Sequence, residues 1–518
     1  MFLWVPHGWD SLLGDADVGW HIRTGDWILA HHTVPTTDLF SFSKPGAPWF
    51  AWEWLSDLTF ALLFRAAGLK AIVLLAGVVI GLYSTIVLRH AFWRGSNAMI
   101  ALPLMLLGVG SSMMHYLARP HIFTLLFLAA GMWVLDSDRV RNTWRVWLLI
   151  PMSIAWVNMH GGFFLFLACL GLLVAGSVAE AWWKSTGWGA VKRYSILFAG
   201  CSAASLVNPY GVNLHRHVAE YLRSDWIRNT IQEFKAPAFR GEGQFQLEIL
   251  MLVGLLIAGL MLRKGKVVET LWIVFLAHSA LTSLRHAPLF VVVAIPLVAS
   301  EISAIWESTT ARMGRQSMLA IFHTLGCDLG KAFRRTSVWI AAAVALVALA
   351  PLEWPADFPK ELFPTDLVTR HAELIRTSRV LTTDQWGDYL IFRFYPRQTV
   401  YVDGRSDFYG EGLGKEYLQL LQLSSGWQSI LEKRAFDTVL LPPEWPLVEA
   451  LKSDPGWRLT EMSKKAILFE KRLKDIDHPL EGHSPKAGLV LKKTRSRANE
   501  NIQARRSLYT GERSNERG

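Results

Sequence analysis

The 518-residue chain is 51% hydrophobic, with 24 Trp and 27 Phe, and its formal charge is +10. Its apolar residues gather in runs of about 15–20 with almost no charge, long enough to cross a hydrocarbon core of about 30 Å, which excludes an ordinary soluble enzyme. The 3 cysteines give no disulfide framework. The positive charge lies in loops beside the apolar runs and in a terminal tail, which speaks against a nucleic-acid partner.

Residues 1–14 are apolar but too short to span, with neither a basic start nor a small-residue cleavage site. They read as the end of a truncated first transmembrane helix rather than a signal peptide. The next segment, 15–67, is a loop outside the bilayer. It opens with Asp15-Ala16-Asp17, two carboxylates placed where charge beside a bilayer is expensive to keep; a solvated acidic loop end is the plain alternative. Val18, Ile22, Ile28 and Leu29, with Trp20 and Trp27 beside them, give the pattern of a short amphipathic helix in the membrane interface. His21 follows Asp17 by one turn, within reach of a hydrogen bond to it. Turns at Thr36-Thr37-Asp38 and at Gly46 and Pro48 precede Trp52-Glu53-Trp54, which opens a second amphipathic stretch to Leu63.

Segment 68–352 is the expected helix bundle, with spans near 70–88, 98–115, 121–135, 147–158, 163–180, 194–207, 245–262, 268–284, 287–305 and 337–352. With the truncated first helix this gives about 10–11 transmembrane helices, 147–158 being short enough for a half-span. Alternating them gathers Arg89, Arg94, Arg139, Arg141, Arg145, Lys184, Lys192, Arg193, Arg263, Lys264 and Lys266 in short loops on one face. The positive-inside rule makes that face cytoplasmic. In the loop 306–336, Met318, Leu319, Ile321, Phe322 and Leu325 suggest an amphipathic helix on the same leaflet.

The polar clusters that interrupt the runs all fall on the opposite face: Arg119-Pro120-His121, Asn158-Met159-His160-Gly161-Gly162, Asn208-Pro209-Tyr210-Gly211 and Arg285-His286. Each alone is an ordinary helix-end turn, since Pro and Gly punctuate helices and Asn caps them. Together they put cationic and imidazole groups at one depth, where each needs a partner. The carboxylates of 15–67 are the available partners, so a shared cavity opening outward is expected.

Residues 353–473 change character. Alternation at Arg379-Val380-Leu381-Thr382 and Thr399-Val400-Tyr401-Val402, with helical stretches between, predicts a small α/β domain on the outer face. Asp403, Arg405 and Asp407 read as an ion-pair turn. The tail 474–518 is basic, poor in aromatics and reads as disordered. The expected fold class is an all-α polytopic membrane protein with a small C-terminal α/β extramembrane domain.

The run DADVGWHIRTGDWI, followed by VPTTDLFSF and PWFAWEWL, resembles the start of bacterial GT-C-type membrane glycosyltransferases, in the broad group with RgtA/B/C/D-like domains. The likeness continues through RPH, NMHGG, NPYG and RHAPLF into WGDYLIFRFYP and VYVDGRSDFY, over residues 10–470 or so. It implies a GT-C-like fold, a polyprenyl-phosphate-linked sugar as donor, and an acidic residue of the first outer loop as catalytic base. By motif that role falls on Asp15 or Asp17, with Glu53 a further candidate. His21, Arg119, His121, Asn158, His160, Asn208, Arg285 and His286 become candidates for binding substrate, Arg119 or Arg285 neutralising the leaving phosphate. Trp386-Gly387-Asp388-Tyr389 partly resembles the WWDYG motif of oligosaccharyltransferase catalytic subunits, and a turn joining two strands explains it nearly as well. Trp386, Asp388, Asp403 and Arg405 are the acceptor-side candidates. No cofactor is assigned; Asp15, Asp17 and a histidine have a weak metal-ligand spacing, so a divalent metal stays open.

The expected function is transfer of a sugar from a lipid carrier to a glycan, lipid or protein acceptor, in a multi-pass protein of the bacterial inner membrane whose C-terminal domain is periplasmic. Membrane lipids are its other partners, and nucleic acid is not one. A transporter or lipid flippase would spread polar residues through the mid-bilayer and relate two halves by a repeat, and the sequence has neither pattern. A non-catalytic envelope assembly protein would work through 353–473 alone.

Overall fold

The computed structural model describes residues 8–185, 187–241, 243–313, 316–335, 338–349 and 353–472. The chain divides into Met1–Lys471 and Arg472–Gly518. The tail 474–518 lies outside the described residues, as do 1–7 of the expected truncated helix, from which Asp10–Leu13 forms a 3-10 turn.

Among the described residues, six helices are long and apolar enough to cross a membrane: Trp54–Trp93, Ala98–His115, His121–Val140, Phe163–Trp183, Gln244–Arg263 and Leu284–Thr310. The chain is a multi-pass membrane protein. The expected spans 147–158 and 268–284 correspond to the shorter apolar helices Trp144–Val157 and Val267–Thr282, and 194–207 corresponds to Gly189–Ala204. A helix of sixteen residues covers about 24 Å at 1.5 Å per residue, less than the hydrocarbon thickness, so fewer helices are of spanning length than there are apolar runs. Of the span expected at 337–352, Val338–Leu349 is a helix. Met318–Arg335 is a helix whose Met318, Leu319, Ile321, Phe322 and Leu325 are exposed, as an interface-lying helix requires.

Two prolines set the helix starts that matter for the site. Pro120 stands at the N-cap of His121–Val140, and Pro288 in the first turn of Ala287–Thr310. There a missing N–H costs nothing and a fixed φ favours the helix. Arg119 is thereby left just outside its helix, and Arg285 sits in the 3-10 turn Leu284–His286 that leads into the other.

The helix Asp17–His31 corrects the interfacial expectation. Val18, Trp20, Ile22 and Ile28 are buried, packed between the start of Trp54–Trp93 and the helix Asp384–Phe394. Gly19 and Gly25 permit the approach: a β-carbon on Gly19 would lie 2.8 Å from Phe392 Cβ, and one on Gly25 2.1 Å from the Asp57 carbonyl oxygen. Its apolar residues serve protein packing on two sides, which a one-sided reading of the pattern does not reveal.

A four-stranded sheet of β1 (Val380–Thr382), β2 (Thr438–Leu441), β3 (Trp457–Met462) and β4 (Ile467–Lys471) has the order β1-β2-β4-β3. β1 and β2 are parallel and the other pairs antiparallel. The alternation around Val400 does not join this sheet. Val400 bridges Ser41 in parallel, its N–H donating to Phe40 O at 2.8 Å and its carbonyl accepting from Phe42 N–H at 2.9 Å. Trp386-Gly387-Asp388-Tyr389 is not a turn between strands either. It lies within Asp384–Phe394, a helix capped by Thr383, which accepts from Trp386 N–H. The first loop and the α/β part are thus joined both by a backbone bridge and by helix packing.

Candidate functional site

A cavity of about 390 Å³ opens where the first loop, four helix ends and the strip Gly404 to Asp407 meet. Its charged wall begins at Asp17. Asp15 Oδ1 accepts the Asp17 N–H at 2.9 Å, and Arg119 grips both carboxylates, Nη1 on Asp15 Oδ2 and Nη2 on Asp17 Oδ2, each at 2.7 Å. Burial pushes the Asp17 carboxyl well above the usual range; Arg119 opposes this and Asp15 adds to it. Asp15 itself does not line the cavity.

Glu53 stands at the N-cap of Trp54–Trp93 between two imidazoles. Its Oε2 is 3.6 Å from His21 Nε2 and its Oε1 3.5 Å from His160 Nε2. Burial raises its carboxyl to about 8, against the pull of Arg119. Burial also holds both histidines well below their ordinary value, with Arg119 adding to this at His21 and Arg285 and His121 adding to it at His160. The Gly162 N–H donates to His160 Nδ1 at 3.0 Å, which leaves the imidazole proton on Nε2, facing Glu53. His21 does not hold Asp17 as its spacing suggested: its Nδ1 is 2.5 Å from Asp57 Oδ1. The single-helix spacing carried no information about Asp57, which comes from the neighbouring helix.

The facing wall carries Arg285. Its Nη1 is 3.7 Å from Glu233 Oε1, and its guanidinium lies over Phe234 at 4.4 Å. Burial works against the Glu233 charge, but Arg285 and then Arg119 bring its carboxyl down to about 2. Backbone carbonyls fix the remaining histidines: His121 Nε2 is 2.6 Å from His115 O, and His286 Nδ1 is 3.1 Å from Ser279 O.

At the α/β side, Arg405 donates to Asp38 at 2.8 Å and to Asp403 at 2.7 and 2.8 Å. Trp49, Phe408 and Phe40 surround its guanidinium at 4.6, 4.8 and 5.0 Å. Asp407 departs from the expected ion-pair turn, meeting His217 Nε2 at 2.9 Å instead. The helix that starts at Ser406 turns it away from Arg405.

Of the residues singled out from sequence, Asp17, His21, Glu53, Arg119, His121, His160, Arg285, His286 and Arg405 line this one cavity. Asn158 and Asn208 do not. Asn158 accepts from Trp54 Nε1 at 2.7 Å and donates to Ile154 O and Val207 O, tying helix ends together. Asn208 caps its own turn through Tyr210 N–H. Trp386 donates to Leu362 O at 3.1 Å away from the cavity. Asp403 and Asp388 stand behind the wall, Asp388 accepting the Gly404 N–H.

Sequence reasoning missed Glu233, His115, Tyr221 and the indoles of Trp20 and Trp49, all of which line the cavity. Glu233 had no distinguishing signal, since the loop 208–244 also holds Glu220, Asp225 and Glu242. The indoles had none, in a chain so rich in Trp. Among the described residues, no group of three or more His, Cys, Asp or Glu is placed to hold a metal. Arg119 occupies the Asp15–Asp17 pair, so this donor set does not fit a divalent ion.

No family model matches the chain, and no curated protein matches it. Several solved structures are similar in shape, two of them as follows. One is the Archaeoglobus fulgidus oligosaccharyltransferase tethered with an acceptor peptide, at TM-score 0.49 and 11% identity over 83% of this chain. The chain spans 65% of that protein's length. The other is ArnT from Cupriavidus metallidurans bound to undecaprenyl phosphate, at TM-score 0.42 and 12% identity over 92% of this chain and 96% of that one.

Proposed function

We propose that the protein is a membrane glycosyltransferase that moves a sugar from a polyprenyl-phosphate-linked donor to an acceptor hydroxyl. The observation that carries this reading is a single cavity with carboxyl groups on one wall, a guanidinium on the other, and an apolar floor. Leu125, Phe164, Leu165, Phe275 and Leu289 form that floor on four helices, a surface suited to an isoprenoid tail. Arg285, whose nearest carboxylate is 3.7 Å away, is the better phosphate partner; Arg119 is already bound by two carboxylates.

In the reaction, Asp17 takes the acceptor hydroxyl proton while the acceptor oxygen bonds to the anomeric carbon. The bond from that carbon to the phosphate oxygen breaks, and its electron pair leaves with the polyprenyl phosphate, whose charge Arg285 stabilises. The Arg119 guanidinium, 2.7 Å away, favours the ionised Asp17 that a general base requires. Glu53, neutral at pH 7, serves as a hydrogen-bond donor and not as the base. The basic loops at the far ends of the helices support an inner-membrane orientation with the cavity and the α/β part on the periplasmic side. A transporter would need its polar groups at mid-span, whereas Glu53, Arg119, His160 and Arg285 all stand at helix ends.

The test is turnover of a radiolabelled polyprenyl-phosphate sugar by purified protein in detergent. Asp17→Asn should cost about 10²–10⁴ in rate, the usual worth of a general base, with an unchanged melting temperature. Arg285→Ala should cost about 10²–10³. Full turnover by Asp17→Asn would remove it as base, and donor left intact by the wild type across sugar types would end the reading.

A further inference from the structure

Asp388 lies on the helix Asp384–Phe394, in the part of the chain farthest in sequence from the first loop, yet it is packed behind Asp17. It is fully buried, and its two carboxyl oxygens share the Gly404 N–H at 3.0 and 3.1 Å. Gly404 faces both acids: a β-carbon there would lie 2.1 Å from Asp17 Oδ1 and 2.9 Å from Asp388 Oδ2. Both oxygens therefore border the same small gap. Arg119 holds Asp17 through Oδ2, and Asp17 Oδ1 is buried without a hydrogen-bond partner.

With both acids ionised, the unpartnered Asp17 Oδ1 would face an Asp388 carboxylate that has only the shared Gly404 N–H. The two charges would repel strongly away from water, and an unpaired buried acceptor is costly in its own right. One proton between them removes both penalties. The surrounding charges decide which acid carries it. Asp17 has the Arg119 guanidinium in direct contact, with Asp15 beyond it. Asp388 has a neutral N–H, and the charges that act on it are Asp17, Asp403 and Asp15. Ionisation is favoured at Asp17 and disfavoured at Asp388.

We infer that Asp388 is a positioning residue: its protonated carboxyl donates a hydrogen bond to Asp17 Oδ1 and keeps Asp17 ionised and aimed by Arg119. The α/β part thereby sets the state of a first-loop carboxylate. The role as support for a catalytic base rests on the glycosyl-transfer reading; the acid–carboxylate pair itself does not. Burial, with Asp17 and Asp403 adding to it, raises the Asp388 carboxyl well above its ordinary range, in the direction this requires. At Asp17 burial acts the same way, and Arg119 and the hydrogen bond from Asp388 oppose it.

Infrared spectroscopy of the purified protein without substrate tests the pair directly. The wild type minus Asp388→Asn difference at neutral pH should contain a protonated-carboxyl stretch; carboxylate bands in its place would overturn the inference. In the transfer assay, Asn supplies a donor from Nδ2 to Asp17 and an acceptor for the Gly404 N–H. Asp388→Asn should therefore keep most of the turnover, with the alkaline limb of its pH–rate profile moved upward because the donor can no longer lose its proton. Asp388→Ala should lose about 10- to 100-fold, the worth of a hydrogen bond to a buried charge. Equal losses in the Asn and Ala variants would mean that an ionised carboxylate is needed, and the inference falls. If no sugar is transferred even by the wild type, the infrared result still decides.

Discussion

The helices that bring the cavity together at their first residues carry a second set of buried charges at their other ends. Trp54–Trp93 starts beside Glu53 and closes with His90 and Arg94; His121–Val140 starts beside Arg119 and carries Asp136, Asp138 and Arg139 about 25 Å further on. At that far end opposite charges meet tightly. Asp136 is 2.7 Å from His90 Nε2 and 2.5 Å from Arg94, Asp138 is 2.8 Å from Arg193, and Arg139 reaches Glu180 at 3.1 Å and Glu269 at 3.2 Å. None of these residues lines the cavity. At the near end Arg119 holds Asp15 and Asp17 just as closely, at 2.7 Å, but Glu53 and Arg285 meet their partners at 3.5 to 3.7 Å, and space remains beside them. Burying charge does not by itself make a site. Lone pairs and donors left incompletely used beside an open volume do, and the far end reads as a set of interhelical fasteners.

That contrast breaks most visibly at Asp136. Removing one member of a closely paired buried cluster strands the others, at a usual cost of about 3–5 kcal/mol. Asp136→Ala leaves His90 and Arg94 facing an empty position, so thermal unfolding in detergent should begin far below the wild-type temperature. A change no larger than that of an exposed-site substitution, about 0.5 kcal/mol, would mean that the far end does not fasten the bundle.

At the cavity the corresponding experiment is Glu53→Gln, and its signature is a pH slope. The fold favours the neutral carboxyl, raised from 4.5 to about 8, so the folded protein keeps a proton that the unfolded chain gives up. Stability from this group is complete below about 4.5 and is lost as the pH rises through about 8. The wild-type melting temperature should fall more steeply than that of Glu53→Gln across this window, since the amide cannot ionise. Superimposable slopes for the two proteins would show that Glu53 is already charged in the fold.

Much of this arrangement was legible in the sequence, and the rest was hidden for reasons that can be named. Pro120, Pro288 and the paired glycines at 161 and 162 announce helix starts. The residues beside them, Arg119, His160 and Arg285, could therefore be placed at one depth by counting spans. Asp17 and Glu53 followed because their loop holds the acids those cations need. Local spacing failed where the partner comes from elsewhere. His21 sits one turn from Asp17 yet bonds to Asp57, and Asp388 reaches Asp17 only through the packing of two helices distant in sequence. The alternation at Val400 gave an extended strip correctly but could not tell that it pairs with Ser41 and not with the sheet.

The smallest effect expected lies with Lys264, and it sharpens the difference between the two ends. Glu301 is 3% exposed at its side chain and is met by Lys264 at 2.6 Å and by Lys266, whose side chains are 49% and 35% exposed. Two half-solvated ammonium groups share one buried carboxylate, so either can be lost while the other remains. Lys264→Ala should cost less than about 1 kcal/mol, as exposed ion pairs do. Adding Lys266→Ala strands Glu301 and should cost clearly more than the sum of the two single losses. Unfolding midpoints of the two single variants and the double variant measure that excess. Additive losses would mean that water already neutralises Glu301, whereas an excess would mark a redundancy that the cavity end lacks, where Glu53 has only neutral imidazoles within reach and each polar group stays available to a ligand.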